Sequence, residues 1–374
     1  MTALDRPLEP LVAPRLPSRL ETPALVVDRA RVDANMTRLQ GEMDRRRIAL
    51  RPHAKTHKSV RIGRLQVAAG AQGLTVGTLG EAEVFAAGGI TDLFLAYPLW
   101  TDDDKAERLR RLLVQAPGLR VGVESVEGVR RLADAVRDRR TPLRVLVEID
   151  PGNHRTGVPT PADAVRVAAA ARDAGLEVIG VFSHGGHGYR PGASAAAGLD
   201  EVTTLEAAAD ALDAAGISCP VLSAGATPTM LTAAAGRVNE MRAGTYVLGD
   251  RQQWVLGSIP PEGCAAVVAS TVVSVHADRV ILDAGAKTLT KDKADWLEGH
   301  GAILGYPGLV IERVNDYHGI VRVPPGVARP VVGEVVAVVP NHICPVVDLF
   351  ASFYAVAPDG TSEIWPVDAR GRSG

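Results

Sequence analysis

The chain has 374 residues, 46% apolar, 22% charged and 4% aromatic, and its 41 basic against 43 acidic residues leave a net charge of −2. That length can bury a large core and defaults to two domains, whereas the near-neutral balance lacks the clustered Lys and Arg excess of a nucleic-acid binder. No apolar run approaches the roughly 18 to 20 residues of a bilayer span. The opening segment MTALDRPLEPLVAPRLPSRLETP carries Asp5, Glu9 and five prolines where a signal peptide needs an apolar stretch, so a cytoplasmic protein is expected. Cys219, Cys264 and Cys344 lack CxxC spacing and indicate neither a disulfide framework nor a closed zinc knuckle. Six lysines stand against 35 arginines. Much of that skew is compositional, but Arg cannot act as a nucleophilic amine, so each lysine is informative.

From about residue 24 to 250, short β-branched runs alternate with Ala/Leu/Arg-rich segments of helical period. The runs are 24–28, 47–51, 73–77, 92–97, 119–123, 143–150, 177–183, 220–223 and 238–241, with helical segments such as 29–46, 101–115, 125–137, 161–174 and 194–215 between them. Strands separated by helices imply right-handed βαβ units and a parallel sheet. Eight or nine units suit a (β/α)8 barrel, with an open sheet as the alternative. After Asp250, β-rich runs at 265–275, 279–284, 308–313, 319–323 and 334–339 are separated by Pro/Gly turns, which predicts an antiparallel β domain over 251–374. Residues 1–20 and 369–374 are expected to be loosely held.

Six segments carry chemistry. Arg51-Pro-His-Ala-Lys-Thr-His-Lys58 follows a predicted strand, at the rim where barrel enzymes keep reacting groups. Four neighbouring cations, Arg51, His53, His57 and Lys58, would disfavour the charged form of Lys55 and suit it to Schiff-base formation; a solvated basic loop is the plain alternative. Glu148-Ile-Asp-Pro-Gly-Asn-His-Arg155 places acids and an arginine at another strand end, able to position an anionic or phenolic group or to form a local ion pair. In Ser183-His-Gly-Gly-His-Gly-Tyr-Arg190 the paired glycines argue against a helical two-His metal site and favour close backbone approach to a ligand beside a histidine. Gly225-Ala-Thr227 and Arg242-Ala-Gly-Thr245 are small-residue turns at consecutive strand ends, the usual place for a phosphate in a barrel. In Pro340-Asn-His-Ile-Cys-Pro345, an extended segment would send His342 and Cys344 to one face, and an imidazole beside a thiolate suits a borderline-soft ion such as Zn2+. A buried inert Cys beside a surface His is the alternative there, and His318 is a weaker possible neighbour.

Taken together, these segments resemble the fold-type III pyridoxal-phosphate enzymes, in the branch of D-threonine aldolases and eukaryotic-type D-serine dehydratases related to alanine racemase. The resemblance runs from TPALVVD to GEVVAVVPNHICP and is most specific at RPHAKTHK. It implies a (β/α)8 barrel over 24–250 that binds pyridoxal phosphate, with strand 24–28 joining a C-terminal β domain, 251–374, that carries a metal site. By matching motif, Lys55 would hold the cofactor as a Schiff base and Arg155 would lie near its phenolic oxygen. Gly225, Ala226, Thr227, Gly244 and Thr245 would cradle the phosphate, Arg242 would face the pyridine nitrogen, and His342 and Cys344 would bind Zn2+ or Mn2+, with Mg2+ third. His53, His184, His187, Tyr189, Gln252 and His318 are pocket possibilities.

The resemblance implies a metal-assisted lyase acting on a β-hydroxy-D-amino acid, as a homodimer. D-threonine-aldolase-type cleavage to glycine and an aldehyde is placed first. Dehydration of D-serine or 3-hydroxyaspartate to a 2-oxo acid and ammonia is the alternative, because His-x-Cys resembles the eukaryotic D-serine dehydratases whereas related aldolases can have Asp at the Cys position. An amino-acid racemase and a non-enzymatic pyridoxal-phosphate carrier stand behind both, opposed by the metal pair and by the β domain.

Overall fold

The computed structural model describes residues 13–374, so the reading of residues 1–12 lies outside it. The described chain begins with β1 (Ala24–Asp28), α1 (Arg29–Arg46), β2 (Ala49–Leu50), α2 (Val60–Ala68), β3 (Leu74–Val76), α3 (Leu79–Ala87), β4 (Leu93–Leu95) and α4 (Asp103–Gln115). It continues through β5 (Arg120–Val123), α5 (Val126–Ala135), β6 (Arg144–Ile149), α6 (Pro161–Asp173), β7 (Glu177–Ser183), α7 (Ser194–Ala214), β8 (Val221–Ala224), β9 (Glu240–Met241) and α8 (Arg251–Val255). The later elements are β10 (Ala266–Val275), β11 (Arg279–Leu282), α9 (Ala286–Leu289), β12 (Ala302–Ile303), β13 (Val310–Val314), β14 (Gly319–Arg322), β15 (Val335–Val339), α10 (Ile343–Leu349), β16 (Ser352–Val356) and β17 (Ser362–Pro366). No helix among the described residues is long and apolar enough to cross a membrane.

The chain divides into two compact units. One comprises Leu39–Lys55, Val60–Gly244 and Gly371–Gly374; the other comprises the described part of Met1–Arg38, Thr56–Ser59 and Thr245–Arg370. The chain therefore passes from one unit to the other between Lys55 and Thr56, and again between Gly244 and Thr245.

In the first unit eight strands run parallel in the order β2-β9-β8-β7-β6-β5-β4-β3. A bridge between His53 and Thr75, with Thr75 N–H donating to Pro52 O at 2.8 Å, joins the two ends of that order and gives a (β/α)8 barrel. Its helices start where a strand-end loop supplies a cap. Thr78, Asp102, Ser125 and Thr160 each accept a backbone N–H from the first turn, and Pro161 adds a preset φ after Thr160. The barrel interior is apolar at Phe94, Leu146 and Phe182, the two rings meeting edge to face at 5.1 Å. A Cβ on Gly122 of β5 would lie 2.7 Å from Phe182, so the small residue on one strand admits the large one on another. The C-terminal residues are not loose: Gly80 N–H and Arg108 Nη2 each donate to Gly374 O at 3.0 Å, and Thr78 Oγ1 donates to Arg372 O at 2.6 Å.

The second unit is a nine-stranded sheet with the path β13-β14-β11-β10-β1-β16-β17, to which β15 and β12 add beside β10. The antiparallel expectation holds for most pairs, but β1 and β16 pair in parallel, with Val26 opposite Tyr354, so the sheet is mixed. Val26, Val267, Ala269, Ala337, Val339 and Val356 share one core cluster, each less than 5% exposed. Three short helices, α8, α9 and α10, fall in the stretch 251–374 that the sequence pattern reads as β-strands and turns alone.

Candidate active site

In the barrel unit the distinctive residues gather at strand ends. Lys55 sits in a short 3-10 turn, Ala54–Thr56, and its backbone N–H donates to His53 Nδ1 at 3.4 Å. Of the four cations expected to press on Lys55, two are neutralised elsewhere. Arg51 turns into the barrel onto Glu240 and Asp92, each at 2.8 Å, and Lys58 pairs with Asp348 at 2.8 Å. The His57 ring instead accepts the Ser59 N–H at 3.1 Å. The fixed positive charges that act at this rim come instead from residues distant in sequence, Arg155 and Arg242. Desolvation first, then Lys55, Arg242, His184 and Arg155, hold His53 well below the ordinary imidazole value; desolvation, Lys55, Arg155 and Arg242 do the same to His184. Both imidazoles are therefore neutral at pH 7 and can accept a proton. The His184 ring lies 6.4 Å from the Tyr189 ring, and His187 pairs with Asp200 at 3.1 Å.

Arg242 follows β9 and is 5% exposed. Its guanidinium donates to Ser223 Oγ at 3.0 Å and to the Ser183 carbonyl, and lies 5.3 Å from the Phe182 ring centroid. Glu240 accepts from Ser223 Oγ at 2.7 Å on one oxygen and from Arg51 and Arg120 on the other, at 2.8 and 3.0 Å. A continuous chain thus runs from the half-exposed Asp92 through the buried Arg51, Glu240 and Ser223 to Arg242. Arg155, by contrast, is exposed on the loop after β6, while Glu148 on that strand accepts from Thr156 Oγ1 at 2.8 Å. Burial, partly offset by that bond, raises the Glu148 pKa, and Glu124 adds to the rise.

The turn after β8 is built from behind. Gly225 has φ +113°, and a Cβ there would meet Met241 Sδ at 2.2 Å, so glycine is required. Its N–H donates to Glu201 Oε1 at 2.9 Å, and the Ala226 N–H donates to Thr229 Oγ1 at 3.2 Å. These two donors of the expected phosphate cradle are already engaged within the protein. Glu201 is fully buried and also accepts from Ser183 Oγ and Thr229 Oγ1. It lies within the Ala-rich α7, where no sequence signal singles it out. Thr227 and Gly244 are buried nearby in sequence.

In the sheet unit, His342 is the extended N-cap of α10, with φ −134° and ψ 108°, and Cys344 belongs to the helix itself. The expectation that both lie on one extended segment is therefore corrected: the strand-to-helix turn, rather than strand alternation, brings them together. Cys344 Sγ is 3.3 Å from Thr56 Oγ1 and 3.8 Å from Thr245 Oγ1. Burial opposes charge on His342, but Cys344, Asp292 and Asp250 outweigh it and raise the pKa to about 11. Asp250 is fully buried, caps α8 through Gln253 N–H at 2.9 Å and accepts the Ile343 N–H at 3.1 Å, which fixes the backbone between His342 and Cys344. Gln252 is buried in the same unit, its N–H donating to Asn341 O. His318 stands exposed in the β13–β14 turn. Among the described residues no group of three or more His, Cys, Asp and Glu converges as a metal cage.

Each donor set fits a specific group. A primary amine, two neutral imidazoles and a buried guanidinium suit pyridoxal phosphate, and adjacent N and S donors suit a divalent ion with open positions for solvent or substrate.

Comparison with known proteins supplies the family. Residues 27–252 match the alanine racemase N-terminal domain, and residues 265–356 match the serine dehydratase domain. The chain is 36% identical to D-threo-3-hydroxyaspartate dehydratase of Delftia sp. (strain HT23), over 92% of this chain and 97% of that protein. It is 34% identical to D-threonine aldolase of an Arthrobacter species, over 95% and 94%. The crystal structure of D-threonine aldolase from Filomicrobium marinum superposes with a TM-score of 0.87 at 29% identity, covering 96% and 99% of the two chains. A solved Cys-to-Ala mutant of D-threo-3-hydroxyaspartate dehydratase, described as the metal-free form, has a TM-score of 0.84 at 33% identity, covering 93% and 97%; a second mutant replaces a His two positions earlier. The chain belongs to the family of pyridoxal-phosphate lyases that join an alanine racemase-like barrel to a serine dehydratase-like β domain.

Proposed function

We propose that this protein is a pyridoxal-phosphate- and metal-dependent lyase that dehydrates a β-hydroxy-D-amino acid to a 2-oxo acid and ammonia. One observation carries the choice. His342 and Cys344 stand two positions apart, the spacing of the His and Cys replaced in the mutants of the D-threo-3-hydroxyaspartate dehydratase, whose Cys-to-Ala form is described as metal-free. Lys55, Arg155, Arg242, Thr227, Gly244 and the Thr245 backbone are the residues that would hold pyridoxal phosphate. The Gly225 and Ala226 N–H groups serve the turn itself. The cofactor, when bound, supplies an electron sink for the substrate's Cα, and the ion, Zn2+ or Mn2+, supplies Lewis-acid polarisation of the β-hydroxyl.

The chain's own residues do the rest. Lys55, as the amine at the rim, moves the Cα proton. His53 and His184, neutral at pH 7, accept and return protons around it. Arg242 places a fixed positive charge in the barrel. The same arrangement supports a second reading, aldol cleavage to glycine and an aldehyde, favoured by the D-threonine aldolase relatives. There a neutral imidazole would take the β-hydroxyl proton as the Cα–Cβ bond breaks. The reading also includes a barrel over 24–250, whose first strand 24–28 joins a metal-bearing β domain over 251–374, a homodimer and a cytoplasmic location, which rest on the resemblance and the composition.

The test is product analysis with D-threo-3-hydroxyaspartate, D-serine and D-threonine, with cofactor and Zn2+ or Mn2+ present. A 2-oxo acid with stoichiometric ammonia is expected. An aldehyde with glycine would replace dehydration by the second reading, and a bound cofactor without turnover on any of the three would reject both.

A further inference from the structure

We infer that Asp292 is the positioning residue of the metal site, fixing the ring orientation and tautomer of His342. The inference rests on the metal reading of His342 and Cys344 and goes beyond it, because Asp292 lies 50 residues earlier in the chain, in the loop after α9. Asp292 Oδ2 is 2.6 Å from His342 Nδ1. A carboxylate only accepts hydrogen bonds, so the Asp292 contact puts a proton on Nδ1 and leaves Nε2 as the ring nitrogen that would ligate an ion. The carboxylate is itself held. The Asp292 N–H donates to Thr290 Oγ1 at 2.9 Å, and the Thr290 N–H donates to Ala286 O at 3.0 Å.

The rest of the unit fixes the remaining degrees of freedom. Asp250 holds the Ile343 N–H and so the backbone between the two donors, while Thr56 and Thr245 hydroxyls flank Cys344 Sγ. The hydrogen bond from Nδ1 to Asp292 Oδ2 sets the rotation of the ring itself. Two protein donors make a sparse site, so an ion held by them depends more on the orientation of each than one held by four. Outer partners of a ligating imidazole are typically worth 10- to 100-fold in metal affinity.

The experiment uses the full chain with pyridoxal phosphate bound and the metal removed by a chelator. Zn2+ affinity is measured by competition with a chromophoric chelator, and Co2+ substitution reads the thiolate-to-metal band of Cys344. Asp292→Ala is expected to weaken Zn2+ binding about 10- to 100-fold, with the Co2+–thiolate band still reached at saturation. Asp292→Asn, whose amide oxygen can accept the same hydrogen bond, is expected to recover most of that loss. Unchanged affinity in Asp292→Ala overturns the inference, and so does an Asn variant as weak as the Ala variant. His342→Ala separates the two levels of the claim. If it keeps wild-type Zn2+ affinity, the metal reading itself fails; if it loses Zn2+ while Asp292→Ala does not, only the role of Asp292 fails.

Discussion

The barrel and the sheet unit stabilise their polar residues in different ways. In the barrel, charge is buried deep and balanced by charge. Arg51 at 1% exposure, Arg120 at 6% and Glu240 at 3% form a closed group that ends on Ser223 and Arg242. In the sheet unit, His342 and its partner Asp292 remain partly exposed, and the neighbouring backbone is held by one fully buried carboxylate, Asp250. The difference matches the two tasks proposed for them. A buried network with few alternatives gives a fixed electrostatic field to a resident cofactor, whereas a partly open N and S pair leaves coordination positions for exchange with solvent and substrate.

The sharpest way to break this contrast is at Lys55. Lys55→Ala is expected to lower turnover by about 10³-fold or more and to abolish the yellow colour of the holoenzyme, read by absorbance, while the Zn2+ content stays at the wild-type level. Next is the metal pair. Cys344→Ala or chelator treatment is expected to lower turnover of the β-hydroxy substrate by about 10²-fold without bleaching the cofactor, read by the same absorbance and by metal analysis.

The network is tested through stability. Glu240→Ala would leave Arg51 and Arg120 buried without their shared partner, a loss of about 3 to 5 kcal/mol, measurable by urea unfolding, whereas Asp250→Asn keeps one of the two oxygen acceptors that hold the Gln253 and Ile343 N–H groups and is expected to cost less. The smallest effect is the pH response of the cofactor-free protein. Free imidazoles titrate near about 6.5, and the folded His53 and His184 titrate well below that. Between those values the unfolded state binds more protons, so their contribution to stability is complete above about 6.5 and is lost as pH falls. His53→Asn should flatten the rise of the melting midpoint between pH 5 and 7.

The barrel was largely legible in the sequence because its signals are local. The strand Glu177–Ser183 and the helix Arg29–Arg46 fall within the expected bounds, and the loops before α3 to α6 end in capping side chains. The helix Ile343–Leu349 was not legible, because ICPVVDL is an apolar run with a proline that reads equally well as a strand end. That error supplied the wrong geometric reason for pairing His342 with Cys344, although the two residues belong to one turn. The buried partners escaped for a different reason. Arg51 meets Glu240 across 189 positions, and His342 meets Asp292 across 50, and no periodicity encodes such pairs. For the same reason, Arg51 and Lys58, which look like a positive cluster around Lys55 in one dimension, are each paired with acids.

In the proposed division of labour, the barrel would activate Cα and the His342–Cys344 pair would act on the β-hydroxyl. The most direct measurement follows two reactions in the holoenzyme before and after metal removal: exchange of the Cα hydrogen of D-alanine in D2O, by NMR, and release of 2-oxo acid from D-threo-3-hydroxyaspartate. Metal removal is predicted to lower oxo-acid release by about 10²-fold while Cα exchange continues. Loss of both reactions together, or retention of both, would contradict the division of labour.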